Sequence, residues 1–189
     1  MTDFTLNAES PLGGVRIDLD GISIREMADL ALVSIAVPRG GEDALNQALK
    51  RSYKAELPIV GTSTLSPAKD VRFLGLQRDQ VFLLTKHLSD SPVVTILENL
   101  GNAGYYSNQS DSWAVLELSG PKSRAALERI CPIDLDPDEF HEGAVTRTQM
   151  EHLGVIILRI YADKFLLFSP TSSSRSFLRM VETSAHNVL

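Results

Sequence analysis

Hydrophobic and polar positions along the chain fall into blocks whose period changes several times. Val15 to Leu19 (VRIDL) alternates with period two, as a half-buried strand does. Leu30 to Val37 (LALVSIAV) is a β-rich apolar run that stops at Pro38-Arg39-Gly40-Gly41. From Glu42 the period lengthens. Ala44, Leu45, Ala48, Leu49 and Ser52 share one helical face, with Asn46, Gln47, Lys50 and Arg51 elsewhere. Glu42 and Asp43 complement the positive end of that helix. A Pro/Gly/Ser-rich loop, Leu57 to Pro67, leads to two strands, Val71 to Leu76 and Val81 to Thr85, joined by the hairpin connection Gln77-Arg78-Asp79-Gln80. Ser91-Pro92 opens a second helix, Ser as cap and Pro in first position, with Val93, Ile96, Leu97 and Leu100 on one face. Gly101 to Asp111 is rich in turn formers and contains Tyr105 and Tyr106.

The same order of elements then starts again. Trp113 to Leu118 (WAVLEL) reads as a strand, and Ser119-Gly120-Pro121 initiates a helix carrying Ala125, Ala126, Leu127 and Ile130, ended by Cys131-Pro132. A loop from Ile133 to Gly143 leads to Val145 to Leu153, then Val155 to Ile160 and Lys164 to Phe168, joined by Tyr161-Ala162-Asp163. Ser172 to Ser174 cap a last helix with Phe177, Leu178 and Val181 inward. The halves correspond in pattern at an offset of about 80 residues: 30–37 with 113–118, 42–53 with 121–130, 71–85 with 155–168, and 92–100 with 174–185. Each unit reads β-α-β-β-α, which predicts an α+β fold of duplicated units packed into one body. Residues 1–14 read as an N-terminal arm, and 15–189 as a single domain of two pseudo-repeats, about 15–105 and 106–189. Phe4, Leu6 and Leu12 have little local means of burial in such an arm; with Tyr105 and Tyr106 they are the expected contacts with larger partners.

Composition narrows the class. Of 189 residues, 43% are apolar and 22% charged, which excludes low-hydropathy disorder. The 18 basic residues face 24 acidic ones, net -6, with no basic cluster to attract nucleic acid or an anionic membrane. The apolar runs 30–37 and 155–160 fall far short of the roughly 20 residues a membrane helix needs. Cys131 stands alone, so no intrachain disulfide forms. With no basic-then-apolar leader in Met1 to Thr5, a cytoplasmic location is expected.

The search for chemistry returns no constellation. His87, His141, His152 and His186 lack a second His or Cys at ligand spacing, so no zinc site is expected. Asp134, Asp136 and Asp138 fit the first positions of a calcium loop, but the sixth is Glu139 and the twelfth Val145. Gly40-Gly41 is followed by Glu42 and Asp43, which repel phosphate. Ser119-Gly120-Pro121-Lys122 lacks the Walker glycines and loses an amide to Pro121. Cys131, at a helix end beside Pro132, faces the negative pole, which raises its thiol pKa. No Gly-x-Ser-x-Gly elbow exists, and nothing singles out a pair among the 24 carboxylates. No catalytic, cofactor-binding or metal-binding residue is assigned.

Trp113-Ala114-Val115-Leu116-Glu117-Leu118-Ser119-Gly120-Pro121, with Cys131-Pro132-Ile133-Asp134-Leu135, resembles the gamma subunit family of heterotetrameric sarcosine oxidase. Phe140, Gly143, Thr146-Arg147-Thr148, Phe165-Leu166-Leu167-Phe168 and Arg175-Ser176-Phe177 follow in the same order, as do Ser10-Pro11-Leu12 and Leu74-Gly75 earlier in the chain. The resemblance implies a fold similar to the folate-binding domain of aminomethyltransferases, and a non-catalytic assembly role beside alpha, beta and delta subunits. It further implies that FAD, FMN, NAD and tetrahydrofolate belong to those partners, with zinc in the delta subunit. The complex would oxidatively demethylate sarcosine to glycine with formation of hydrogen peroxide. Two alternatives stay open: a folate- or anion-binding module of the aminomethyltransferase type, and a subunit of a paralogous N-methyl amino acid oxidase or dehydrogenase.

Overall fold

The structure is a computed structural model that describes residues 9–67, 70–86 and 91–189. The first half builds β1 (Arg16–Leu19), β2 (Ile22–Glu26), β3 (Leu30–Ala36), α1 (Glu42–Tyr53), β4 (Ser63–Ser66), β5 (Val71–Gln77), β6 (Gln80–Lys86), α2 (Pro92–Leu100) and β7 (Tyr105–Asn108). The second builds β8 (Trp113–Ser119), α3 (Ser123–Glu128), β9 (Val145–Met150), β10 (Leu153–Tyr161), β11 (Lys164–Pro170) and α4 (Ser174–His186). The strand pairings among the described residues are antiparallel. One sheet runs β4-β5-β6-β3-β7 and the other β9-β10-β11-β8-β2-β1. The repeat read from the pattern is thus visible as one strand order used twice. A crossing of segments completes it: β2, from the chain's first half, takes the place in the second sheet that β7 holds in the first.

The sheets stack face to face. Leu32, Leu74, Phe82 and Leu84 of one sheet meet Val115, Ile156, Leu158 and Phe168 of the other. On the outer face of the first sheet, Val33, Ile35, Phe73 and Leu83 lie under Leu45 and Leu49 of α1 and Ile96 and Leu100 of α2. On the outer face of the second, Ile24, Leu116, Leu118 and Phe165 lie under Ala126 and Leu127 of α3 and Phe177 and Val181 of α4. The result is four layers: helix, sheet, sheet, helix. Strands covered on both faces have no polar face, which is why β3, β10 and β11 read as continuous apolar runs.

The halves also join through matched loops. Gly61 N–H donates to Gly75 O, and Gly143 N–H to Arg159 O, both at 2.9 Å. Gly75 N–H returns to Thr62 O at 2.9 Å, as Arg159 N–H does to Ala144 O at 3.0 Å. The two loops then pair with each other through a Thr62–Ala144 bridge, a 3.0 Å bond from Val145 N–H to Gly61 O, and Ser63 Oγ donating to Gly143 O at 2.7 Å. Gly61 and Gly143 sit at φ 90° and 85°, a region favouring glycine.

Some local expectations change. β4 lies inside the expected loop 57–67, and β7 inside the turn-rich stretch 101–111; β2, whose Ile22-Ser23-Ile24-Arg25 alternates with period two, adds a strand to those expected. Tyr-Tyr-Ser-Asn has no period-two alternation, and pairing with β3 makes it a strand. The helix expected over 121–130 is shorter, Ser123–Glu128. Ser91 makes no side-chain cap, nor does Ser173; Ser174 Oγ donates back to Thr171 O instead, at 2.8 Å.

Candidate functional site

A cavity of about 540 Å³ opens at the rim of the inter-sheet layer, where β2 hands over to β3 beside the start of β8. Its apolar walls include Met27, Leu30, Leu32, Leu84, Trp113 and Val115; Ser10, Glu26, Ser110, Asp111 and Thr171 supply polar groups. Most of those groups already serve the fold. Glu26 accepts from Ser10 Oγ at 2.9 Å, Leu12 N–H at 2.9 Å and Gly14 N–H at 2.6 Å. Ser110 Oγ accepts from Leu32 N–H at 3.0 Å and donates to Asn108 Oδ1 at 2.7 Å. Thr171 Oγ1 donates to Asp111 O at 2.8 Å. A ligand here would meet apolar surface and carboxylates, not an array of donors ready for an anion.

Beside the cavity, Arg147 of β9 stacks over Phe82 and Trp113, its guanidinium carbon 5.3 and 5.8 Å from the ring centres. It donates to Gln80 Oε1 at 3.1 Å, and Gln80 Nε2 donates to Ser34 Oγ at 3.0 Å. This chain of contacts ties β9 of one sheet to β6 and β3 of the other. Desolvation by burial lowers the Arg147 pKa from its ordinary value.

Arg159 is the most deeply placed charge among the described residues, 2% exposed on β10. Carbonyls, not a carboxylate, receive it. Its Nη1 donates to Leu135 O at 3.1 Å and Phe140 O at 2.6 Å, and its Nη2 to Ala162 O at 2.7 Å. The guanidinium stacks on Phe165 at 5.2 Å, and Nε has no partner. The side chain therefore fastens the loop that carries the acidic run to the sheet. In the sequence it is visible as the one charge inside Val155 to Ile160.

The other candidates disperse. The Cys131 thiol is buried, and burial pushes its pKa up, the expected direction but from desolvation, opposed by a backbone hydrogen bond at Ile133. Asp134 Oδ1 accepts Asp136 N–H at 2.9 Å and Asp136 Oδ1 accepts Asp138 N–H at 3.1 Å, so these carboxylates shape turns. Asp136 also pairs with Arg124 at 3.3 Å. His141, His152 and His186 are exposed and apart, and among the described residues no three metal-ligating side chains converge. His87 lies outside the described residues. Gly120, at φ 113°, is needed where β8 passes Gly21, rather than for an anion. No helix among the described residues is long and apolar enough to cross a membrane.

Of the expected partner contacts, Phe4 and Leu6 lie outside the described residues. Leu12 is half-buried against the core of the second half, so it has the local shelter that the sequence did not reveal. Tyr106 packs under α2, its hydroxyl donating to Gly101 O at 3.0 Å. Tyr105 points the other way and is 71% exposed. Glu26, which pins residues 10–14, gave no signal in the sequence beyond an acid at a strand end.

A duplicated pair of antiparallel sheets with helices on both outer faces defines a four-layer α+β domain. Residues 67–162 match the family model of the GCVT N-terminal domain, and the chain belongs to that family. It is 26% identical over 140 residues to the sarcosine oxidase subunit gamma of Corynebacterium sp. (strain P-1), covering 73% of this chain and 67% of that one. Its fold matches a chain of heterotetrameric sarcosine oxidase from Corynebacterium sp. U-96, solved with pyrrole 2-carboxylate. The TM-score is 0.77 at 22% identity, over 88% of this chain and 85% of that one. Aminomethyltransferase T of the Bartonella henselae glycine cleavage system aligns over 82% of this chain and 44% of its own length, with TM-score 0.57 and 16% identity.

Proposed function

We propose that this chain is the non-catalytic gamma-type subunit of a heterotetrameric sarcosine oxidase. The observation that carries the reading is agreement along most of the chain: a fold match at TM-score 0.77 and a gamma-subunit relative covering 73% of it. In this reading the alpha, beta and delta subunits hold FAD, FMN, NAD, tetrahydrofolate and zinc. They convert sarcosine, oxygen and water to glycine, formaldehyde and hydrogen peroxide, or pass the methyl carbon to tetrahydrofolate, in the cytoplasm. Affinity purification of the tagged native chain tests this. It should bring down a flavoprotein that oxidises sarcosine; a chain that is stable, monomeric and accompanied by no flavoprotein overturns it.

The cavity beside Trp113 favours a second reading, a binding module that takes up folate. Titration of the isolated chain with tetrahydrofolate distinguishes the two: saturable micromolar binding favours the module, and no binding favours the scaffold.

A further inference from the structure

The two sheets share one strand order up to the fifth strand and then differ. Outside β2 lies β1; outside β7 no described strand lies. We propose that the open edge of β7, with the flank of α2 beside it, receives an extended segment of a partner subunit, added antiparallel as β1 is added to β2. The proposal rests on the subunit reading above and names a surface for it.

Backbone geometry leaves the edge ready to pair. Gln109 N–H donates to Leu32 O at 2.8 Å, in register with the Ser34–Ser107 and Ala36–Tyr105 pairs. Residues in phase with Gln109 therefore turn their backbone groups toward β3, and Tyr106 and Asn108 turn theirs to the open side. Tyr105–Asn108 carries none of the Lys, Pro or bulge devices that protect exposed edges.

The helix beside the edge is apolar where a soluble monomer would be polar. Asn99 of α2 faces Tyr53 of α1, and Leu97 lies about 160° around the helix from it, on the side away from α1. Leu97 is 44% exposed, and its neighbour Val94 51%. α2 packs on β3 and β7, so this flank borders the side on which an added strand would lie.

β1 shows what chemistry fits such a place. Its Ile17 and Leu19 pack into the helix-side core, while Arg16 and Asp18 are exposed. The equivalent occupant at β7 is an extended segment of alternating apolar and polar residues, with its apolar side chains toward Leu97. This is strand addition with side-chain selection by a flanking helix.

The test compares Asn108→Pro with Asn108→Ala in binding of the purified chain to its copurified partner subunits. Both variants lose the Asn108 side-chain bonds to Ser110, but only proline also removes the outward N–H. The Pro variant should bind about tenfold or more weakly than the Ala variant. Leu97→Asp, on an exposed helix position, should weaken binding similarly with an unchanged melting temperature. It decides the matter should the Pro variant not fold. Hydrogen exchange at Tyr106 and Asn108 should slow in the assembly. Equal affinity of the Pro and Ala variants, or of Leu97→Asp and the parent, overturns the proposal while leaving the subunit reading intact. If the variants abolish only self-association of the isolated chain, the occupant is a second copy and the proposal fails. If no subunits copurify, the subunit reading falls and this one with it.

Discussion

At the scale of single residues, the informative positions are polar groups that burial has forced into particular company. Arg159 is held by three carbonyls rather than a carboxylate. Removing it strands those oxygens, each costing about 1–3 kcal/mol when buried and unpaired. Arg159→Met should lower stability by about 3 kcal/mol or more in urea unfolding, and speed hydrogen exchange in the loop from Ile133 to Gly143. Tyr53 responds to alkali instead. It is buried between α1 and the sheet, its ring edge-on to Phe73 at 5.2 Å. Burial, and secondarily Tyr106, push its pKa from 10.0 up to about 12. Because the folded-state value is raised, its contribution is fully present below pH 10 and is lost as pH rises through about 12. Unfolding measured across that window should show a fall in stability that Tyr53→Phe flattens.

Among the elements, close approaches of backbone matter more than helix propensity. A Cβ at Gly120 would lie 2.4 Å from Gly21 O, at φ 113°. Gly120→Ala therefore has to move β8 away from the turn before β2, at a cost of about 1–3 kcal/mol. Gly154, on β10, has open space for 4 Å around the place a Cβ would take, so Gly154→Ala is the matched control. It should stay within about 0.5 kcal/mol of the parent. Thermal melts of the two variants side by side check both expectations. The paired loops at Gly61 and Gly143 belong to the same scale: each closes its own half, and together they bind the halves.

For the molecule as a whole, the shared inter-sheet core and the exchange of β2 decide cooperativity. A chain cut in the linker between β7 and β8 would leave the second sheet without β1 and β2, and both sheets with an uncovered inner face. Fragments 1–109 and 110–189 should each lack cooperative unfolding alone and regain it when mixed, read by circular dichroism on heating. A cooperative transition in either isolated fragment would show that the halves are separate domains.

The order β-α-β-β-α, its duplication and the apolar runs of β3, β10 and β11 could be read in the chain, because strand and helix periods are local properties of side-chain spacing. β4 and β7 could not, because short polar strands have no periodic signal and exist by virtue of the neighbour they pair with; β2 does alternate, but nothing local to Ile22–Glu26 says that it joins the sheet of the other half. The anchoring of Leu12 by Glu26, the three carbonyls around Arg159 and the cavity beside Trp113 escaped for a related reason: each joins positions far apart in the chain. Local periodicity is enough to dictate two matched units with apolar faces to bury. Contacts between distant segments settle the rest: the units bury those faces against each other, one lends strands to the other, and β7 has no further described strand outside it.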